Sequence, residues 1–287
     1  MLLLPVWSIY LITFQSLGHE FRPDLRLWVV FMGVSLMYAG AYLINQIHDY
    51  ESDLINGKLG FLQRGMIKKS EMMAIYLSLS VIALIIGFWA GFKIGLIFTA
   101  VFLLGYFYSA PPLRLKDRPV GGLIANALGY GFLLPLSVPY YMENMAGQAI
   151  YIPIYFVLAI AAGYLLTVIP DKEGDQKTGK ITPVLFLPVR TLILLAMMLV
   201  VLSAYFSDRG GFHYLTLISI ISVFLLLGVI LSVSEATVLL ACKLPIFLIS
   251  LLAGFYYPVF LVFLLVVLIT TRIYYRRRFG IIYPRLS

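Results

Sequence analysis

Long apolar runs alternate with short polar joints along this chain, and the runs set its architecture. Stretches able to cross a hydrocarbon core of roughly 30 Å fall near 2–18, 25–47, 72–91, 94–110, 120–142, 149–169, 184–206, 212–233 and 244–271. The pattern predicts nine membrane-spanning helices, with a short first one and a long last one tilted or kinked at Pro258. Helices are expected because lipid leaves unpaired backbone groups unsatisfied. No segment shows the period-two alternation of a barrel strand. The expected fold is an all-α integral membrane bundle of about nine transmembrane helices around a central cavity, forming a single transmembrane domain over 1–287.

The joints are uneven. Those after the second, fourth and sixth runs (about 48–71, 111–119 and 170–183) are long or rich in polar residues, whereas those after the first, third, fifth and seventh are short. With Arg190 and the link after the eighth run, the even joints carry 12 of the 21 Lys and Arg, which puts that side in the cytoplasm. Nine crossings leave Arg272, Arg276, Arg277, Arg278 and Arg285 on the opposite side, against the same rule, so either the earlier joints overrule the tail or Pro258 marks a re-entrant turn; nine spans are the favoured reading. Acidic stretches follow the second and sixth runs. That placement points to a pseudo-repeat of four-helix units, about 1–110 and 120–233, plus a last helix at 244–271.

Composition agrees with the runs. Of 287 residues 62% are hydrophobic and 12% charged, against roughly 25% charged in soluble domains. The net charge of +8 sits in short joints between apolar runs, which reads as topology and anion binding and excludes nucleic acid as a partner. Cys242 is the one cysteine, so no intrachain disulfide forms, and its apolar setting reads as a small buried hydrophobe. Met1-Leu2-Leu3-Leu4-Pro5 lacks the basic start of a signal peptide and is taken as the beginning of a mature first helix.

The candidate chemistry lies where polar residues interrupt this pattern. Asn45, Asp49 and Asp53 are four apart, and on a helix each step of four turns a side chain by about 400°. All three therefore share one face, at the mouth of a span, and offer hard oxygen ligands suited to Mg²⁺. Asp171 and Asp175 repeat the spacing after the sixth run. Acids at span ends are costly unless they face water or ions, and two acidic ends facing each other would hold a metal-bound diphosphate. Glu51 and Glu173 lie off the two stripes, and His48 points about 100° away from the first. Lys116 and Arg114, with Arg64 and Lys177, supply cations for phosphate oxygens, and Tyr108 and Ser109 supply hydroxyls. The Pro111-Pro112 pair stiffens the loop that carries Lys116. Asn126, one turn into the fifth span, either supports the site or joins two helices.

Asn45-x-x-x-Asp49-x-x-x-Asp53 with Asp171-x-x-x-Asp175 resembles the paired motifs of the UbiA superfamily of intramembrane prenyltransferases. Asn56, Leu62, Gly65 and Ile67 are similar to its connector after the first motif. The run from Asp171 to Thr182 resembles its D-x-E-G-D-x-x-x-G-x-x-T signature. Tyr108 to Lys116 resembles the tyrosine-to-lysine loop in the longer form of chlorophyll-synthase-like members. Gly60-Phe61 stands where many members have Arg-Pro, and Arg64 is the residue available to substitute. The resemblance implies prenyl transfer from an isoprenyl diphosphate, such as geranyl or geranylgeranyl diphosphate, to a hydrophobic acceptor within the bilayer. That acceptor is a quinone precursor, a glycerol-phosphate lipid or a tetrapyrrole acid. It further implies Mg²⁺, as two ions bridged by diphosphate, held by Asn45, Asp49, Asp53, Asp171 and Asp175. Asp49 and Asp175 also become candidates for proton removal. Two other readings stay open: a transporter or channel that uses intramembrane carboxylates, and a diphosphate lyase or cyclase without a second substrate.

Overall fold

The computed structural model describes residues 3–18, 25–55, 60–144, 147–177 and 179–280. Its elements are α1 (Leu3–Ser16), α2 (Leu25–His48), α3 (Tyr50–Ile55), α4 (Lys69–Ala90) and α5 (Phe92–Ser109). Next come α6 (Gly121–Asn126), a π-helical stretch (Ala127–Leu133) and α7 (Leu134–Tyr141), which together make one span. The chain ends with α8 (Tyr151–Thr167), α9 (Lys172–Lys177), α10 (Val189–Arg209), α11 (His213–Leu231), α12 (Glu235–Tyr256) and α13 (Pro258–Phe279). Among the described residues nine spans are long and apolar enough to cross a membrane, and none of these residues is in a strand. The protein is a multi-pass membrane bundle.

The number nine agrees with the apolar pattern, but its make-up differs at both ends. The expected first span, 2–18, is the 14-residue α1, about 21 Å long. The expected last span, 244–271, is not one helix. Its residues belong to α12 and α13, which meet at Tyr257-Pro258. Proline steers the residue before it out of the helical region, and Tyr257 sits at φ −126°, ψ 80°. Pro258 then opens a new helix, where its missing N–H costs nothing. The chain doubles back tightly enough that a Cβ on Gly254 would lie 3.1 Å from Leu261.

That reversal settles the basic tail. At one end of the bundle the Tyr257 hydroxyl donates to Gln15 near the end of α1. At the other, the Arg64 guanidinium lies 4.3 Å over the ring of Phe279, the last residue of α13. Arg64 belongs to the connector that follows the first acidic motif. Arg272, Arg276, Arg277 and Arg278 therefore sit toward the acidic end, as the positive-inside rule asks. Among the described residues an even number of apolar helices, nine spans and the shorter α1, replaces the odd number that had stranded them.

Two apolar clusters hold the bundle. One joins α1, α2, α4, α5, α7 and α8 to α12 and α13, and the other joins α8, α10, α11 and α12. Large apolar residues such as Phe224, Leu231, Phe255 and Val259 are turned outward, where lipid would meet them. The π-helical stretch misaligns the backbone ladder beside the site, and the Gly129 carbonyl accepts the Tyr38 hydroxyl at 2.6 Å.

Candidate active site

The first motif keeps its helical register across the junction of α2 and α3. The Asp49 amide donates to the Asn45 carbonyl at 2.9 Å, and the Asp53 amide to the Asp49 carbonyl at 2.8 Å. Spacing by four therefore does bring side chains to one face. Asn45 Oδ1 and Asp49 Oδ1 both meet the Lys116 ammonium, at 2.9 and 2.8 Å. Asp53, one turn on, is only 5% exposed.

Lys116 arrives from a 3₁₀ turn, Leu115–Asp117, beyond the end of α5. Arg114 precedes it in a left-handed conformation, φ 42°, and pairs with Asp117 at 2.7 Å. This twist separates two neighbouring cations: the Arg114 side chain is 42% exposed, whereas Lys116 is 7% exposed. Burial pulls the Lys116 ammonium below its usual range, and the adjacent Asp49 carboxylate opposes that pull.

The second motif folds as the short helix α9. Asp175 is 9% exposed and accepts the Thr182 hydroxyl at 2.8 Å, whereas Asp171 is exposed. The loop behind it bends onto the first motif. The Ile181 amide donates to the Asp117 carbonyl at 3.1 Å, and the Lys180 ammonium lies 3.6 Å from Asp49. Two acidic segments far apart in sequence thus come to one end of the bundle, where Lys180 from the loop after the second reaches Asp49 of the first.

The remaining candidates divide. Ser109 donates to Asn45 at 3.3 Å. Tyr108 is hydrogen-bonded to Asn126 and lies within electrostatic reach of Asp49, Asp117 and Asp175. Asn126 also donates to the Gly122 carbonyl at 2.8 Å, so it supports Tyr108 from within the fifth span. Arg64 is instead engaged with Phe279, Arg114 with Asp117, and Lys177 is exposed. Asn56 and Thr178 lie outside the described residues. Sequence reasoning gave no role to Lys180 or Thr182. Both lie in the motif run, five and seven positions after Asp175, and that was the available signal.

Two cavities adjoin this end. A compact one of about 180 Å³ is bounded by Tyr38, Tyr42, Asn45, Tyr108, Asn126 and Tyr130. A larger apolar one of about 410 Å³ runs between α1, α8, α11 and α12, and it shares Asn126 and Tyr130 with the first.

The donor set fits a hard divalent cation. Buried carboxylates need a positive partner, and here an ammonium bridges the amide and carboxylate oxygens of Asn45 and Asp49 as an ion would. Among the described residues no three His, Cys, Asp or Glu side chains gather into a complete metal cage. Mg²⁺ characteristically binds one or two carboxylates and completes its shell with water and substrate phosphates.

The bundle shares its fold with a UbiA homologue from Archaeoglobus fulgidus bound to GPP and Mg²⁺. The TM-score is 0.68 and the identity 22%, over 89% of this chain and 96% of that one. Fold and acidic mouth together define an intramembrane helical bundle of this type. The chain belongs to the UbiA prenyltransferase family, whose model matches residues 3–236. It is 27% identical over 165 residues to a probable homogentisate phytyltransferase 2, chloroplastic, of Oryza sativa subsp. japonica, covering 52% of this chain and 43% of that one. It is 28% identical over 170 residues to a digeranylgeranylglyceryl phosphate synthase of Thermococcus sibiricus, covering 57% of each. The chain spans about half the length of these curated relatives.

Proposed function

We propose that this protein transfers a prenyl group from an isoprenyl diphosphate to a lipophilic acceptor inside the membrane, with Mg²⁺ and with release of diphosphate. The observation that carries the reading is the pairing of Asp49 with Lys116 and with Lys180, the latter from the loop after the second acidic motif, at the mouth of an apolar chamber. Family membership, and the GPP and Mg²⁺ bound by the Archaeoglobus homologue, support it.

On this reading Asn45, Asp49, Asp53, Asp171 and Asp175 would hold the Mg²⁺ that accompanies the diphosphate. When bound, Mg²⁺ supplies Lewis acidity that offsets charge on the departing diphosphate. Lys116 and Lys180 neutralise the same charge, and the Tyr108 and Ser109 hydroxyls bind its oxygens. Arg64 and Arg114 reach it only by leaving Phe279 and Asp117, whereas Lys177 is exposed. Apolar walls keep water from the allylic cation, and the acceptor captures it instead. The acceptor's proton passes to a carboxylate at the mouth, Asp49 or Asp175. The mouth faces the cytoplasm, because the basic joints and the basic end of α13 gather there.

Protein in nanodiscs, given Mg²⁺, geranyl or geranylgeranyl diphosphate and a panel of phenolic, glycerol-phosphate and tetrapyrrole acceptors, should release diphosphate and yield a prenylated acceptor by mass spectrometry. Release of diphosphate with only hydrocarbon or alcohol product would identify a lyase or cyclase. No release with any donor would overturn the reading.

A further inference from the structure

We propose that the exposed face of α13 binds one anionic phospholipid, with Arg277 and Arg278 on its phosphate, Tyr274 beside the headgroup and the apolar residues above them along an acyl chain.

The bundle covers little of α13. Its only buried residues are Phe260 and Leu264, so from Leu265 to Phe279 none is buried. The open face changes chemistry along its length. Val259, Val262, Val266 and Ile273 follow one another at steps of three, four and seven, which keeps them on one side of the helix. Each is 46–76% exposed, and Arg277 continues the stripe. From Pro258, where the helix opens, nineteen steps carry Arg277 about 28 Å, close to the roughly 30 Å of the hydrocarbon core. The stripe is therefore apolar through the depth of the lipid tails and cationic where phosphates begin.

At that level Thr270, Ile273, Tyr274, Arg277 and Arg278 line an open groove. Tyr274 lies edge-on to Phe279, with ring centroids 5.9 Å apart, and tyrosine favours the headgroup level of a bilayer. Arg272 and Arg276 sit about 100–140° around the helix from Arg277, on the side away from Arg278. α13 carries no Asp or Glu. Among the described residues none of its four arginines forms an ion pair.

That uncompensated charge selects the occupant. A phosphodiester accepts paired N–H bonds from guanidinium groups, and an anionic lipid brings no ammonium of its own to be repelled, as a zwitterionic one does. A second copy of the chain, crossing the bilayer in the same direction, would set arginine against arginine at the same depth. A free phosphate would satisfy the groove and leave the apolar stripe unused.

Native mass spectrometry of the full-length protein in a non-ionic detergent, titrated with phosphatidylglycerol or phosphatidylcholine of the same acyl chains, reads the site directly. The protein should retain one phosphatidylglycerol about ten-fold more tightly than phosphatidylcholine. Arg277→Ala combined with Arg278→Ala should cut that preference to about two-fold or less, since each basic residue near the surface contributes about five-fold. Arg272→Ala combined with Arg276→Ala removes the same charge from the other side of the helix and should leave the preference within about two-fold of its starting value. Glycerophosphoglycerol, the headgroup without tails, should fail to displace the lipid even in large excess. Equal affinity for the two lipids overturns the site. So does an equal loss in both double variants, which leaves only surface charge, or displacement by the bare headgroup, which leaves a phosphate site alone. A dimer mass that disappears in Arg277→Ala with Arg278→Ala gives the face to a second copy and overturns it as well.

Discussion

The two acidic motifs share a spacing but not a physical state. The first is built into a continuous helical register, with Asp53 buried and Asp49 already answered by Lys116 and Lys180. The second rides on a six-residue helix, with Asp171 exposed just before it and Asp175 accepting the Thr182 hydroxyl. A helix of that length has no stability of its own and takes its position from what it docks against. On the prenyl-transfer reading one motif is thus a preformed half-site, and the other is a half hinged on the loop carrying Lys180 and Thr182.

Several changes should split the two halves. On the prenyl-transfer reading the largest effect should come from removing the metal: EDTA should take diphosphate release to background and excess Mg²⁺ should restore it. Asp49→Ala should then lower kcat/KM by about a thousand-fold or more and destabilise the fold by about 3 kcal/mol, because it strands a buried ammonium. Chemical denaturation should show Lys116→Met added to Asp49→Ala recovering much of that stability without recovering activity. Asp171→Ala, on the exposed side of the hinged half, should raise the Mg²⁺ concentration needed for half-maximal activity by about 10- to 100-fold with an unchanged melting temperature. An effect as large as that of Asp49→Ala would erase the distinction between the halves. Thr182→Val should cost about 1 kcal/mol and a smaller loss of rate, since Asp175 loses one hydrogen bond. Phe279→Ala should matter least, about 0.5–1 kcal/mol for an exposed cation–π contact.

Much of this arrangement was legible in the sequence because it follows from periodicity. A step of four on a helix put Asn45 and Asp49 against the same ammonium, and two acidic span ends on one side did converge. Periodicity does not report on a joint only one residue long. Hydropathy runs smoothly across Tyr256 and Pro258, so α12 and α13 read as one span, and only the stranded arginines signalled the error. Loop geometry was likewise invisible. Arg114 and Lys116 look equivalent in sequence, yet a left-handed backbone at Arg114 turns one outward and the other inward. Lys180 and Thr182 reach the site through tertiary contacts that no local pattern encodes.

The Lys116 ammonium has a consequence for the order of arrival. Being tethered, it never dilutes away, so a bare divalent ion must compete with it at a high local concentration. An ion escorted by its own polyanion faces no such contest, since the lysine can turn from carboxylate to phosphate as the pair docks. On the prenyl-transfer reading, metal and donor therefore come in together, and magnesium alone should saturate the protein poorly.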